Sequence, residues 1–145
     1  MRWLAIDHGT KKLGLAFSDE LEILSSPFEV WPQEEERTLD RLARLCREEG
    51  VQALCVGLPR HKDGAESATA PAARAFGEAL ASRTGLPLRF VNEHLTSAEA
   101  DRLLRERGVK PERRKQLLDA AAAAVILGEL LEARRSRRIP PERLD

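Results

Sequence analysis

Trp3-Leu4-Ala5-Ile6-Asp7-His8-Gly9-Thr10-Lys11-Lys12-Leu13-Gly14-Leu15-Ala16-Phe17-Ser18 places two apolar runs around a polar turn. The first run ends in a carboxylate, and the turn brings a glycine, a threonine and two lysines. This pattern predicts a β-hairpin with Asp7 where its first strand, residues 3–7, meets the turn. Gly9 lets the backbone turn tightly or approach a ligand closely. An acid at a strand end, beside a Gly-Thr turn and two lysines, suits a metal ion next to a phosphate. It equally suits a surface hairpin whose Asp caps a turn.

The chain has 145 residues, 42% hydrophobic and 33% charged, which is the size and composition of one globular domain. No run approaches the roughly 18 apolar residues of a membrane span. Residues 1–6 are too short for a signal-peptide core, so a cytoplasmic protein is expected. Cys46 and Cys55 sit in apolar patterns and read as small buried hydrophobes. His8, His61 and His94 lack zinc-site spacing. Net charge is zero but unevenly spread. Residues 101–145 hold 12 basic and 8 acidic side chains, and residues 1–100 hold 12 and 16. The basic end suits a local anionic partner or a solvated helix face.

Along the chain, residues 13–18 form the second strand. Ile23-Leu24 and Phe28-Glu29-Val30-Trp31 predict a third around Pro27, toward a sheet edge. Glu34-Glu35-Glu36 opens a helix that Gly50 stops. Residues 51–57 form a continuous apolar strand, of the kind buried on both faces. A basic loop, 58–64, leads to a helix over about 67–84 with Ala72, Ala73, Phe76, Ala79 and Leu80 on one face. Residues 86–91 form the next strand, with Asn92-Glu93-His94 at its end. Thr96-Ser97-Ala98-Glu99 has the form of a capping box and opens a short helix. Pro111 opens the last helix, which runs to about Arg135. One domain over residues 1–138 and a tail over 139–145 are expected. The order of elements gives an α/β fold: an antiparallel meander followed by βαβ crossovers, hence a mixed five-stranded sheet with helices on both faces. The strands ending at Asp7, Gly57 and Glu93 would then run parallel and share one edge, where open α/β sheets bind ligands.

Three acids stand out by position. Asp7 and Glu93 end apolar strands. Asp119 shares a helix face with Ala122, Ala123, Ile126 and Leu130. A carboxylate on such a stripe needs a metal, strong hydrogen bonds or a nearby Arg or Lys. Three carboxylates at one sheet edge repel unless a divalent cation lies between them, and oxygen-only ligands select Mg²⁺ or Mn²⁺. Thr10, Lys12, Arg60 and Lys62 are candidates for phosphate contacts. Arg113 and Arg114, within the cluster Arg102, Arg105, Arg107, Lys110, Arg113, Arg114 and Lys115, are candidates for tracking a nucleic-acid backbone. Arg134-Arg135-Ser136-Arg137-Arg138 reads as a solvated helix end that suits the dipole. Aromatics are 4% and Tyr is absent, so recognition of structured RNA by shape fits better than base stacking.

These residues resemble the YqgF family, also called RuvX, of RNase H-like nucleases. The likeness rests on Asp7-His8-Gly9-Thr10-Lys11-Lys12-Leu13-Gly14-Leu15-Ala16, then Val56-Gly57-Leu58-Pro59 with Asp63-Gly64. Asn92-Glu93-His94-Leu95-Thr96-Ser97 follows, and then Asp119-Ala120 leading into Ala123-Ala124-Val125-Ile126-Leu127. It implies an RNase H-like fold, with Asp7, Glu93 and Asp119 as catalytic, metal-binding acids for Mg²⁺ or Mn²⁺. It also implies a nuclease that processes the 5′ end of precursor 16S ribosomal RNA; the older family proposal is Holliday-junction resolution. The partners implied are structured RNA or branched DNA and the ribosomal subunit, with no membrane. The chain itself is expected as a monomer or weak homodimer. In one departure, His94 stands where the family usually has Arg.

Two rivals compete. Asp7-His8-Gly9-Thr10 also resembles the phosphate hairpin of the actin and sugar-kinase superfamily, but that cleft needs two such domains. A non-catalytic RNA-binding or transcription-associated module would gain nothing from three clustered acids.

Overall fold

The computed structural model describes residues 1–60, 65–93 and 97–138. Its elements are β1 (Trp3–His8), β2 (Lys12–Ser18), β3 (Ser25–Pro32), α1 (Glu36–Glu48), β4 (Ala53–Pro59), α2 (Ala70–Thr84), β5 (Leu88–Glu93), α3 (Ser97–Glu106) and α4 (Pro111–Arg138). They build one five-stranded sheet in the order β3-β2-β1-β4-β5. The first three strands pair antiparallel. β1 and β4, and β4 and β5, pair parallel. The carboxyl ends of β1, β4 and β5 therefore share one edge, as the sequence order predicts.

Side-chain alternation along each strand sorts the core into two layers. Leu4, Ile6, Leu13, Leu15, Leu54 and Val56 pack under α1 and α2, against Leu39, Leu42, Phe76 and Leu80. The opposite face carries Trp3 and a floor of small residues, Ala5, Ala16, Ala53 and Cys55. α4 lies on that floor through Ala123, Ala124, Ile126, Leu127 and Leu131. Small residues on both surfaces let the helix come unusually close to the sheet. At Gly14 the approach reaches its limit: a Cβ built there would stand 2.0 Å from the carbonyl carbon of Asp119. α3 packs beside α4 through Ala100, Leu104 and Ala121.

Several element bounds differ from the periodicity, each for a local reason. β3 begins at Ser25, so Ile23 and Leu24 lie outside the strand and are exposed. The Asp19 carboxylate accepts the backbone N–H groups of Ile23 (2.8 Å) and Leu24 (2.9 Å), which folds that segment into a turn. β4 begins at Ala53, because the N–H of Val51 instead closes the end of α1 on Cys46. α2 begins at Ala70, with Ala72 on its exposed side and Gly77 on its buried side. The expected edge position of β3 and the buried states of Cys46 and Cys55 are observed. Burial pushes the thiols up to about 11 and about 12, which suits inert packing groups. The tail over 139–145 and the predicted helix start at Thr96 lie outside the described residues. Among those described, no helix is long and apolar enough to cross a membrane.

The reading of Arg134 as part of a solvated helix end is corrected. Its guanidinium donates to both carboxylate oxygens of Glu22, at 2.5 and 3.2 Å, and lies over the Trp3 ring. Glu22 is buried and also accepts from the N-terminal ammonium at 3.1 Å. This clamp fastens the carboxyl-terminal half of α4 to the β2–β3 turn and accompanies its extension to Arg138.

Two outcomes follow from this packing. Gly14→Ala forces a methyl group into the α4 backbone and should cost about 3 kcal/mol in chemical denaturation. The Glu22 carboxyl is held down to about 2 by the Arg134 hydrogen bond, with help from the N-terminal ammonium. Its contribution is present above the ordinary carboxylate range and is lost as pH falls toward 2. Glu22→Gln should therefore cost about 2 kcal/mol at pH 7, and its gap to the parent should close in melts between pH 4.5 and 2.

Candidate active site

Asp7 lies near the end of β1, on the face covered by α4. Its antiparallel partner on β2 is Gly14. Ile6 is in register with Val56 of β4, so the next residue, Gly57, flanks Asp7 on the other side. Two glycines thus border the acid, and each admits another carboxylate. Gly14 admits the α4 backbone at Asp119. Gly57 leaves space for Glu93, whose Oε2 lies 3.2 Å from where a Gly57 Cβ would stand. Glu93 ends β5, one strand further out, and reaches inward across that gap. Three segments far apart in sequence thereby bring Asp7, Glu93 and Asp119 to one sheet edge.

The electrostatics of the three differ. Asp7 is held well above the usual carboxylate range, first by burial, then by the charge and hydrogen bond of Glu93 and the charge of Asp119. Glu93 is raised as well, chiefly by burial. Two half-enclosed carboxyls in contact each disfavour the other's charge, which favours a proton held by the pair. Asp119 is one-third exposed, and Lys12 Nζ lies 3.6 Å from its Oδ2. Its helix face is therefore less enclosed than the neighbouring alanines predict, and Lys12 provides its counter-charge. No group of three His, Cys, Asp or Glu stands at metal-holding distances among the described residues. The donor chemistry nevertheless fits a hard divalent cation: all three groups offer oxygen, and half-buried Asp7 and Glu93 are both raised by enclosure beside another acid.

The sequence profile of the RuvX family, described as "Holliday junction resolvase", matches residues 1–133. The chain belongs to the RuvX family. A relative from Symbiobacterium thermophilum is 41% identical over 143 residues, covering 98% of each chain. One from Lachnospira eligens is 38% identical over 138 residues, covering 92% of this chain and 99% of that one. Both carry the name "Putative pre-16S rRNA nuclease". Among solved structures, Thermus thermophilus RuvC superposes with a TM-score of 0.62 at 20% identity, over 94% of this chain and 97% of that one. Fowlpox virus resolvase, solved with Holliday-junction DNA, gives 0.61 at 10% identity, over 92% and 98%. These likenesses establish an RNase H-like, resolvase-type fold.

Around the acids of this RuvX-family chain, the candidate phosphate contacts fall into distinct settings. Asp7, His8, Gly9, Thr10, Lys11, Lys12 and Asp119 line a cleft of about 330 Å³. Arg60 stands at the same edge: its Nε donates to Asn92 Oδ1 at 2.6 Å, and Glu66 lies 3.6 Å from its Nη2. Arg113 is exposed on the first turn of α4. Arg114 is engaged structurally, donating to Asp101 at 3.0 Å and to the Val109 carbonyl at 3.2 Å, which ties α3 to α4. Lys62 and His94 lie outside the described residues. His8 points to the other face of the sheet, where its ring meets Phe76 at 4.9 Å and burial lowers its pKa. Sequence reasoning singled out the acids but gave Gly14 and Gly57 no role. Their signal was present, since each interrupts an apolar strand.

The acid pair makes stability depend on pH in the opposite sense to Glu22. The folded chain keeps a proton that the unfolded chain releases above the ordinary carboxylate range, so stability falls as pH rises toward the raised value. Melts in chelator should decline from pH 5 to pH 9. Asp7→Asn, which removes the shared acid, should flatten that decline.

Proposed function

We propose that this chain is a divalent-metal-dependent nuclease that hydrolyses phosphodiester bonds in structured precursor 16S ribosomal RNA. The nuclease class follows from family membership. The RNA substrate is carried over from relatives that share about two-fifths of their residues along nearly the whole chain. The observation that supports the chemistry is the Gly14–Asp7–Gly57 row, across which two further carboxylates converge on Asp7.

Asp7, Glu93 and Asp119 would hold Mg²⁺ or Mn²⁺. When bound, the ion supplies a water nucleophile at neutral pH and neutralises charge on the phosphate. Asp7 is the fixed anchor, because its own pairing with Gly14 on β2 and the β4 pairing of the preceding residue, Ile6, hold its backbone. Glu93 and Asp119 approach from opposite flanks and set the orientation of the site. Lys12 and Thr10, in the cleft beside the acids, bind the flanking phosphate. Arg60, held by Asn92, presents a second cation at the same edge. Arg113, on the exposed start of α4, meets the backbone further along, with salt-dependent affinity.

A branched DNA substrate is the second reading, favoured by the family's description as Holliday junction resolvases. The two are separated by cleavage assays with Mg²⁺ or Mn²⁺ on a precursor 16S rRNA fragment and on a four-way DNA junction. Cleavage of the RNA is expected. Asp7→Asn and Asp119→Asn should each lose activity on the order of a thousandfold while remaining folded. Full activity in either variant would remove that acid from the site. Cleavage of the junction alone would replace the RNA assignment and leave the chemistry standing.

A further inference from the structure

Lys12 sits at the junction of the hairpin turn and β2, and its backbone is fixed from two directions. A Cβ on Gly9 would lie 2.5 Å from the Lys12 carbonyl oxygen, so the turn is folded down onto it. The N–H of Gln33 donates to the carbonyl of Lys11 at 2.9 Å, which ties the turn to the end of β3. The side chain, by contrast, is 59% exposed and carries its ammonium to 3.6 Å from Asp119 Oδ2. A fixed base and an exposed, long-stemmed charged head suit a group that changes partners. The Asp119 backbone is held against Gly14 and its short side chain is the less exposed of the two, at 32%, so the longer, more exposed Lys12 side chain has the greater freedom to change partners.

We propose that Lys12 is a positioning residue that neutralises Asp119 until a divalent cation takes that carboxylate, and then turns to the phosphate of the bound nucleic acid. The inference rests on the metal-dependent reading above and adds a competition to it. An ammonium and a dication cannot both sit against one carboxylate without repelling each other at close range. An exposed ion pair is weak enough to yield to a dication that has two further carboxylates to bind. The released ammonium remains in the cleft that Asp7, Thr10 and Lys11 also line, where an incoming phosphate is its next counter-charge. Lys12 thereby links metal occupancy to nucleic-acid affinity.

Calorimetric titration with MnCl₂ tests the competition without reference to catalysis. Lys12→Met should bind Mn²⁺ about fivefold more tightly than the parent, the scale of an exposed charge contact. Lys12→Arg should stay close to the parent. In an Asp119→Asn background, Lys12→Met should no longer tighten binding, because the shared carboxylate is gone. Binding of a labelled hairpin RNA in Ca²⁺ provides the second readout. Lys12→Met should weaken it and reduce its salt dependence by about one phosphate contact. Unchanged or weaker Mn²⁺ affinity in Lys12→Met overturns the proposal alone, as does unchanged RNA affinity. No Mn²⁺ binding by the parent or any variant overturns it together with the metal-dependent reading.

Discussion

The α4 backbone rests on Gly14 with no room for a methyl group, and the approach of Asp119 to Asp7 depends on that contact. Helix and sheet normally keep side chains between them. Here the floor of alanines on the sheet and the alanine run on the helix remove most of that spacer. The helix is lowered until its main chain touches the strand beside Asp7. A carboxylate from a helix 112 residues further along the chain can then take part in the same site as one from the first strand. Dispersion contacts over the small-residue surface stabilise the arrangement, and the absence of a side chain at Gly14 permits it.

Burying acids without opposite charge is costly, and the site meets that cost with two different partners. In the more enclosed part, burial and mutual charge raise Asp7 and Glu93, which favours a proton held by the pair. Asp119, closer to solvent, is met by Lys12. The two solutions follow the local dielectric. A proton is the compact choice where an ammonium with its hydration would not fit, and an ammonium serves where water still reaches. Both are exchangeable, which a rigid buried Arg–carboxylate pair would not be. The contrast within the same molecule is Glu22, whose fork to Arg134 is built to persist.

The mixed five-stranded sheet and its parallel strand ends were legible because they depend on local periodicity and on where apolar runs stop, and Asp7, Glu93 and Asp119 drew notice by their places at strand ends and on an apolar helix face. Gly14 and Gly57 were harder. A glycine inside a strand signals a close approach, but which group approaches depends on register with a neighbouring strand and on a helix from elsewhere in the chain. The Arg134–Glu22 clamp was illegible for a related reason. Arg134 lies in a run of arginines whose local pattern favours a solvated helix end, and its partner sits in a turn 112 residues away. Ile23 and Leu24 have strand-like side chains, yet one Asp19 carboxylate, capturing two N–H groups, outweighs their propensity. Arg114 belongs with these cases: nothing in a basic cluster distinguishes the arginine that rivets two helices from Arg113, which remains exposed beside it.

α4 is a long helix held at two places, by the Gly14 contact near Asp119 and by the Glu22–Arg134 clamp toward its end. At about 1.5 Å per residue these are roughly 22 Å apart, a long baseline that resists tilting. Any residual tilt about the Gly14 contact moves Asp119 least, because it sits at the fulcrum. The turn carrying Arg113 lies six residues before that contact, outside the stretch between the two fastenings. The same geometry therefore asks for precision from the acid that must meet the other two, and tolerates adjustment in the basic end, whose contact with a phosphate backbone needs charge and reach more than exact placement. Arg114 transmits that adjustment: by binding Asp101 and the Val109 carbonyl it makes α3 follow the start of α4 as one arm.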